Sequence, residues 1–200
     1  MPGDNSEPAL VAEVDANRDH LLGSLNSPVV LVEYGDFECP HCRRARHTVN
    51  QLRKELGQNL CFVFRHFPLS QIHPHAEGAA EAAEAAAAQG RFWEMHEALF
   101  DHQDDLEDQS LSEYAARIGI DVKRFAMDLE EGKFTPRVRE DFMSGVRSGV
   151  NGTPTFFING RRHDGPPDAA SMLQAITSSV PAAGEHRHSR THKVSSGTSK

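Results

Sequence analysis

The sequence predicts an α/β domain interrupted by a long helical insertion. Two short apolar runs, Val29–Tyr34 and Leu60–Phe67, enclose one amphipathic helical stretch. From residue 71 to about 149 the pattern is helical throughout, and strand character returns at Thr155-Phe156-Phe157-Ile158. Strand, helix and strand joined by a crossover make a βαβ unit with parallel strands.

Residues 1–19 are polar and predict an arm. The run Val29-Val30-Leu31-Val32-Glu33-Tyr34 is bounded by Pro28 and Gly35, as an interior strand would be. Arg43 through Gly57 continues as a helix with Val49, Leu52 and Leu56 on one face, and Gly57 stops it. Leu60–Phe67 is the second strand, closed by Pro68. Ala76, Ala79, Ala80, Ala83 and Ala87 then mark a small-faced helix, and Phe92, Met95, Leu99 and Phe100 mark the next. Ser110-x-x-Glu113 reads as a capping box and Asp121 as the cap of a further helix. Thr135-Pro136 reads as cap and first residue of another, with Val138, Phe142 and Val146 inward. Asn159-Gly160 signals a hairpin whose partner strand runs from Arg161 to Asp164, and Asp168 caps a final helix. After Pro181 the composition has little to bury, so residues 181–200 are expected to be disordered. The resulting organisation is an arm at 1–19, an α/β domain from 20–70 and 150–180, and a helical subdomain at 71–149.

With 200 residues and 38% hydrophobic content the chain suits one domain with an insertion. A net charge of −8 argues against nucleic-acid binding, and no run is apolar enough to span a membrane. The acidic start lacks a basic, then apolar, leader, which suggests a cytoplasmic protein. No cofactor is expected, and the chain is expected to be a monomer.

Chemistry concentrates at Cys39-Pro40-His41-Cys42. On the first turn of a helix, residues three apart share a face, so the two sulfurs can form and break a disulfide. A helix N-terminus favours thiolate over thiol, and a protonated His41 would add to that. Structural zinc needs four ligands, and the chain has no second cysteine pair, so no metal is expected. The third cysteine, Cys61, lies in an apolar strand and reads as a core residue. Glu33 precedes Cys39 by six positions in a run apolar on both faces, which predicts a buried carboxylate able to take a proton from Cys42. Phe37, with Tyr34 and Phe67, could form an apolar rim for a partner chain or simply pack in the core. His66 and His73 read as polar contacts at the domain junction. The tail residues His186, His188 and His192 read as solvated.

Val32–Cys42 and Val150–Gly160 resemble the two signature segments of the DsbA-like thiol:disulfide oxidoreductases, and Arg65–Leu69 and Phe92–His96 resemble further segments of that family. The resemblance covers about residues 20 to 180. It implies a thioredoxin fold with an inserted helical domain, Cys39 as nucleophile and Cys42 as resolving thiol. It also implies that Pro154 is a cis-proline facing the disulfide, that Thr153 lines the peptide site, and that Glu33 is the family's buried acid. The implied partners are protein or peptide thiols and disulfides and a redox partner yet to be identified. Thr153 is more like the reductase and isomerase branches, so the direction of electron flow stays open. The other readings are a cytosolic thiol reductase or repair protein, a peptide-binding or chaperone-like module, and a glutathione-dependent isomerase or transferase. The complete CxxC weakens the last.

Overall fold

The computed structural model describes residues 9–179; the expected disordered tail and the start of the arm lie outside them. The strands are β1 (His20–Leu22), β2 (Val29–Gly35), β3 (Leu60–His66), β4 (Thr155–Ile158) and β5 (Arg161–His163). The helices are α1 (Pro40–Leu56), α2 (Ala76–Ala87), α3 (Phe92–Asp101), α4 (Asp108–Arg117), α5 (Val122–Glu130), α6 (Thr135–Arg147) and α7 (Ala169–Ser179). One sheet runs in the order β1-β3-β2-β4-β5. Among the described residues only β2 and β3 pair in parallel, with Leu31 opposite Phe62 and Glu33 opposite Phe64. This is a thioredoxin fold with helices α2–α6 inserted between β3 and β4.

Every residue of β3 is buried, and all but Val30 of β2, because both faces of the central strands are covered. On one face Leu31, Phe62, Phe64, Phe156 and Ile158 pack with Val49 and Leu52 of α1, Met172 of α7 and the apolar sides of α2–α5. On the other, Val32, Tyr34, Cys61, Val63 and Phe157 meet Phe142 of α6 and the incoming chain. Cys61 is fully buried there.

That incoming chain departs from the expected arm. Ala9 bridges Arg161, Leu10 N–H donates to Gly160 O at 2.8 Å, and Leu10 and Val14 pack on the second core. The sequence concealed this because only two spaced apolar residues carry the packing, while Asp19 and main-chain carbonyls do the rest. Strand β1 is likewise short and unannounced.

The Asn159-Gly160 turn takes positive φ at both residues (49° and 81°), as a two-residue hairpin of this hand requires. Asp121 caps α5 by accepting from Arg124 N–H at 3.0 Å, and Asp168 does the same for Ser171 N–H at 3.0 Å. Ser110 is not a cap. It lies inside α4, where Oγ donates to Asp105 Oδ1 at 2.5 Å. Thr135 is the first residue of α6 rather than its cap, and its hydroxyl donates to Glu81 at 2.7 Å. Val146 points outward, 46% exposed. The inward positions of that turn belong to Ser144 and Gly145, since a Cβ at Gly145 would come within 2.7 Å of the Phe67 ring and 3.0 Å of Tyr34.

Candidate active site

The carboxyl end of β2 leads directly into α1, so Cys39 becomes the N-cap and Pro40 the first helical residue. Pro40 costs nothing there, because the first-turn N–H groups have no partner inside the helix. No acidic side chain occupies the first turn, which leaves the partial positive charge of the helix end unopposed. Both sulfurs are free thiols here, with Cys39 4% exposed and Cys42 fully buried.

The two thiols are strongly unequal. A hydrogen bond from the Cys42 side chain is the largest influence holding the Cys39 pKa down, to about 5; burial opposes it, and Thr153 with the N–H groups of Cys42 and His41 assist. Cys42 is pushed well above the ordinary thiol value, first by burial, then by its bond to Cys39 and by the nearby Glu33 and Cys39 charges. Sγ of Cys39 is 3.4 Å from Thr153 O, and the Thr153–Pro154 peptide is cis. Asp36 N–H approaches Cys42 Sγ at 3.4 Å.

Glu33 is 3% exposed and its Oε1 has no hydrogen-bond partner. Burial, and secondarily the Cys39 thiolate, raise its pKa to about 8. His41 acts differently from expectation: its main-chain N–H serves the thiolate, while ring Nδ1 accepts from Arg44 at 2.7 Å. His41, Thr153 and Pro154, with Pro166, Pro167 and Thr48, line an open cleft beside the thiol pair.

Phe37 belongs to the core and not to an apolar rim. It is 1% exposed and packs on Phe64 (5.1 Å between centroids) and Phe100 (5.0 Å), so it offers no rim to a partner. The loop between β2 and α1 passes under the helical insertion, which closes over that ring. Tyr34 and Phe67 are buried on the opposite core.

Two residues that brace the thiol loop, and one buried beside it, leave no signal of their own in the sequence. Asp36 accepts from Glu38 N–H (2.8 Å), Leu69 N–H (2.9 Å) and His73 Nδ1 (2.8 Å), bracing the loop before Cys39. Burial would lower the His73 pKa, but the bond to Asp36 more than offsets it, so the net shift is upward. Gln103, after α3, donates to the carbonyls of Phe37 (2.5 Å) and Cys39 (2.9 Å), tying the insertion to the thiol loop. His96 is the third, 4% exposed within the aromatic cluster around Phe37.

A potential metal-ligand set among the described residues is His20, His66 and Glu84, with ligand atoms within 4.8 Å of one another. Both imidazole Nε2 atoms lie 2.9 Å from the same Glu84 Oε1, and Arg137 Nε is 3.9 Å from it. Hydrogen bonding and charge therefore account for this knot where α2 meets the sheet. Burial would raise the Glu84 pKa, but the two imidazoles hold it below the usual range.

The sheet, the inserted helices and an unequal thiol pair at a helix N-cap define a thioredoxin-fold protein with the DsbA-like insertion. The family model described as Thioredoxin matches residues 15–178, and the chain belongs to that family. In solved structures it is similar to BdbD from Bacillus subtilis, with a TM-score of 0.74 and 22% identity over 85% of this chain and 97% of that one. It is also similar to a thioredoxin-like oxidoreductase from Silicibacter pomeroyi, with a TM-score of 0.72 and 27% identity over 82% and 92% of the two chains. Among curated relatives, Na(+)/H(+) antiporter NhaA 1 of Mycobacterium sp. (strain KMS) is 48% identical over 169 residues, 84% of this chain and 28% of the relative. NhaA of Herminiimonas arsenicoxydans is 42% identical over 183 residues, 92% of this chain and 28% of the relative. The chain thus spans little more than a quarter of the length of these relatives. No helix among the described residues is long and apolar enough to cross a membrane.

Proposed function

We propose that the protein exchanges disulfides with cysteine-bearing proteins or peptides through Cys39 and Cys42. The observation that carries this reading is the inequality of the pair: an acidic Cys39 at the helix N-cap beside a buried, reluctant Cys42. As a reductant, the Cys39 thiolate attacks a substrate disulfide and one substrate thiolate leaves. Capping Cys39 in the mixed disulfide removes its negative charge, so Glu33 releases its proton more readily. Cys42 then gives its own proton to the Glu33 carboxylate and attacks Cys39 Sγ, and the second substrate thiolate leaves. Two electrons pass to the substrate and the protein disulfide forms. The reverse sequence oxidises a dithiol. Stabilising the thiolate stabilises the reduced pair, so an acidic Cys39 makes the protein a better oxidant. In a reducing cytosol the same pair would serve as a reductase. The cleft at Thr153 and Pro154 is the proposed substrate groove, with His41, Arg44 and Thr48 on its helix side.

Cys39→Ala is expected to lower both insulin reduction and oxidation of a reduced model protein by at least about a thousandfold, since the thiolate is the nucleophile. Cys42→Ala should retain the first attack and accumulate mixed disulfides. Full activity in Cys39→Ala would instead favour a peptide-binding or chaperone-like role. A second reading rests on the antiporter relatives: the fold would supply a thiol-exchange domain working alongside a transporter. Mixed disulfides trapped by Cys42→Ala and identified by mass spectrometry distinguish a transporter partner from soluble ones.

A further inference from the structure

We infer that His96 relays protons between Glu33 and the protein surface through one water molecule held in a cavity that both residues line. The inference rests on the reading above in which Glu33 exchanges a proton with Cys42. That reading leaves a difficulty. Glu33 is buried, with Oε1 unpartnered, yet it must load and unload a proton in each redox cycle.

The cavity of about 10 Å³ is lined by Glu33, His96, Arg46, Asn50 and Glu97 together with apolar groups that include Phe62, Trp93 and Phe100. A space of roughly that size is the minimum that holds one water, provided two or more polar groups reach it. Both ring nitrogens of His96 are buried and without a hydrogen-bond partner, as is Nε of Arg46. Buried polar atoms left without a partner are costly, and since Nδ1 faces Glu97, it is Nε2 of His96 that, with Glu33 Oε1 and Arg46 Nε, is left for a water in this cavity. The imidazole plane is fixed by edge contacts with Phe64 (4.8 Å between centroids) and Phe100 (5.0 Å).

The outer end of the route is also present. His96 Nδ1 lies 3.4 Å from Glu97 Oε1, close but not aligned as a hydrogen bond, and the Glu97 side chain is 49% exposed. Arg46 holds Glu97 in place by donating to its Oε2 at 3.2 Å, and bonds Asp101 at 2.6 Å. The charged and titratable groups around the ring are thus Arg46 of α1, Glu97 of α3 and His66 of β3, with Arg53 of α1 and Glu33 of β2 lining the same cavity. Burial lowers the His96 pKa against the pull of Glu97, so the ring stays neutral, with one N–H and one lone pair.

In the outward direction, protonated Glu33 gives its proton to the water, and the water gives one to the His96 lone pair. The ring then releases its other N–H proton to Glu97 or to solvent. No electrons move. The ring is left in its second tautomer, and the inward passage that accompanies the opposite half-reaction restores the first.

The test follows Cys42 attacking Cys39 that has been preloaded as a glutathione mixed disulfide, by stopped flow from about pH 5 to 9 in H2O and D2O. General acid–base steps contribute about 10²–10⁴-fold, so His96→Phe should slow resolution at least tenfold and change its pH profile. The Cys39 titration and the equilibrium potential should stay at their wild-type values. The Glu33→Gln/His96→Phe double variant should be no slower than Glu33→Gln alone. Slow resolution in Glu33→Gln with a wild-type rate in His96→Phe overturns the relay and leaves the Glu33 role standing. A wild-type rate in Glu33→Gln overturns that role and the relay with it. Multiplying effects in the double variant would make His96 a packing residue and also overturn the relay. Should His96→Phe fail to fold, His96→Gln carries the same comparison, because an amide cannot accept and pass on a proton at neutral pH.

Discussion

Asp19 and Glu33 are both buried carboxylates beside the same sheet, yet their surroundings differ in every respect. Asp19 receives Arg65 in a two-pronged grip, Nε to Oδ1 at 2.9 Å and a terminal nitrogen to Oδ2 at 3.0 Å. The remaining Arg65 donors reach Ala12 O, Glu13 O and the Tyr34 hydroxyl, so all of its N–H groups are used. Tyr34 OH continues the chain to Ser144 Oγ at 2.7 Å, and Ser144 donates to Asp141 O. Burial would raise the Asp19 pKa, but Arg65 brings it below the usual carboxylate range. Glu33 has no cation within bonding reach and an unused oxygen, and its pKa rises. The fully bonded carboxylate stays charged and locks the incoming chain to the sheet. The incompletely bonded one is held protonated to a higher pH than an ordinary carboxylate, as the proposed proton transfer requires.

The comparison breaks most sharply at Asp19. Asp19→Asn strands a buried guanidinium, which is expected to cost about 3–5 kcal/mol of stability. Denaturant unfolding reads this loss, while the Cys39 titration should not move. A loss below about 1 kcal/mol would mean that the Arg65 network is dispensable and that the packing of Leu10 and Val14 and the main-chain bonds of residues 9–11 suffice to hold this segment.

Glu33 should couple to pH with the opposite sign. A carboxyl whose folded pKa is raised binds more protons when folded, so its contribution is fully present below the unfolded value and is lost as pH rises through the folded one. Burial persists in the disulfide form, although the Cys39 charge does not. The oxidised protein should therefore lose stability as pH rises above about 4.5, at up to roughly 1.4 kcal/mol for each pH unit crossed until Glu33 titrates in the folded state. Glu33→Gln should flatten that slope. In the reduced protein the depressed Cys39 pKa works the other way, since its contribution is lost as pH falls through about 5, so the net slope should be smaller. Equal slopes in wild type and Glu33→Gln would place Glu33 in the same class as Asp19.

The unequal legibility of these groups has a physical cause. The position of Cys39-Pro40-His41-Cys42 at a strand-to-helix junction follows from local patterning, and so does the burial of Glu33 between Val32 and Tyr34. Both depend on neighbours a few residues away. The Asp19–Arg65 pair joins residues 46 positions apart, and Gln103 reaches Cys39 across 64, so neither leaves a local trace. Phe37 was ambiguous for the same reason: a ring in a loop after a strand is a rim or a core residue depending on what folds over it. Ser110 and Val146 failed at finer scale. A capping box needs the helix to begin at its serine, and α4 begins earlier, at Asp108. Val146 faces out because Ser144 and Gly145 take the inward side of that turn, where the Phe67 and Tyr34 rings leave no room for a side chain at 145.

The mildest expected effect gives the finest proton count. Reduction of the Cys39–Cys42 disulfide takes up two electrons, and the protons taken up depend on which thiols are protonated. Below about pH 5 both are, and a two-electron, two-proton couple changes by about 59 mV per pH unit. Above that value Cys39 remains a thiolate while Cys42 keeps its proton, so one proton is taken up and the slope halves to about 30 mV per unit. Between about pH 5.5 and 7 burial should keep Glu33 protonated in both redox forms, so it adds nothing to the count. Equilibration against glutathione across that range should give the shallower slope, with the break near pH 5. A slope of about 59 mV persisting to pH 7 would mean that a second group gains a proton on reduction. Repeating the measurement on Glu33→Gln tells whether that group is Glu33: a return to the half slope assigns the extra proton to the carboxylate, and an unchanged steep slope assigns it to a Cys39 thiol that is not acidic.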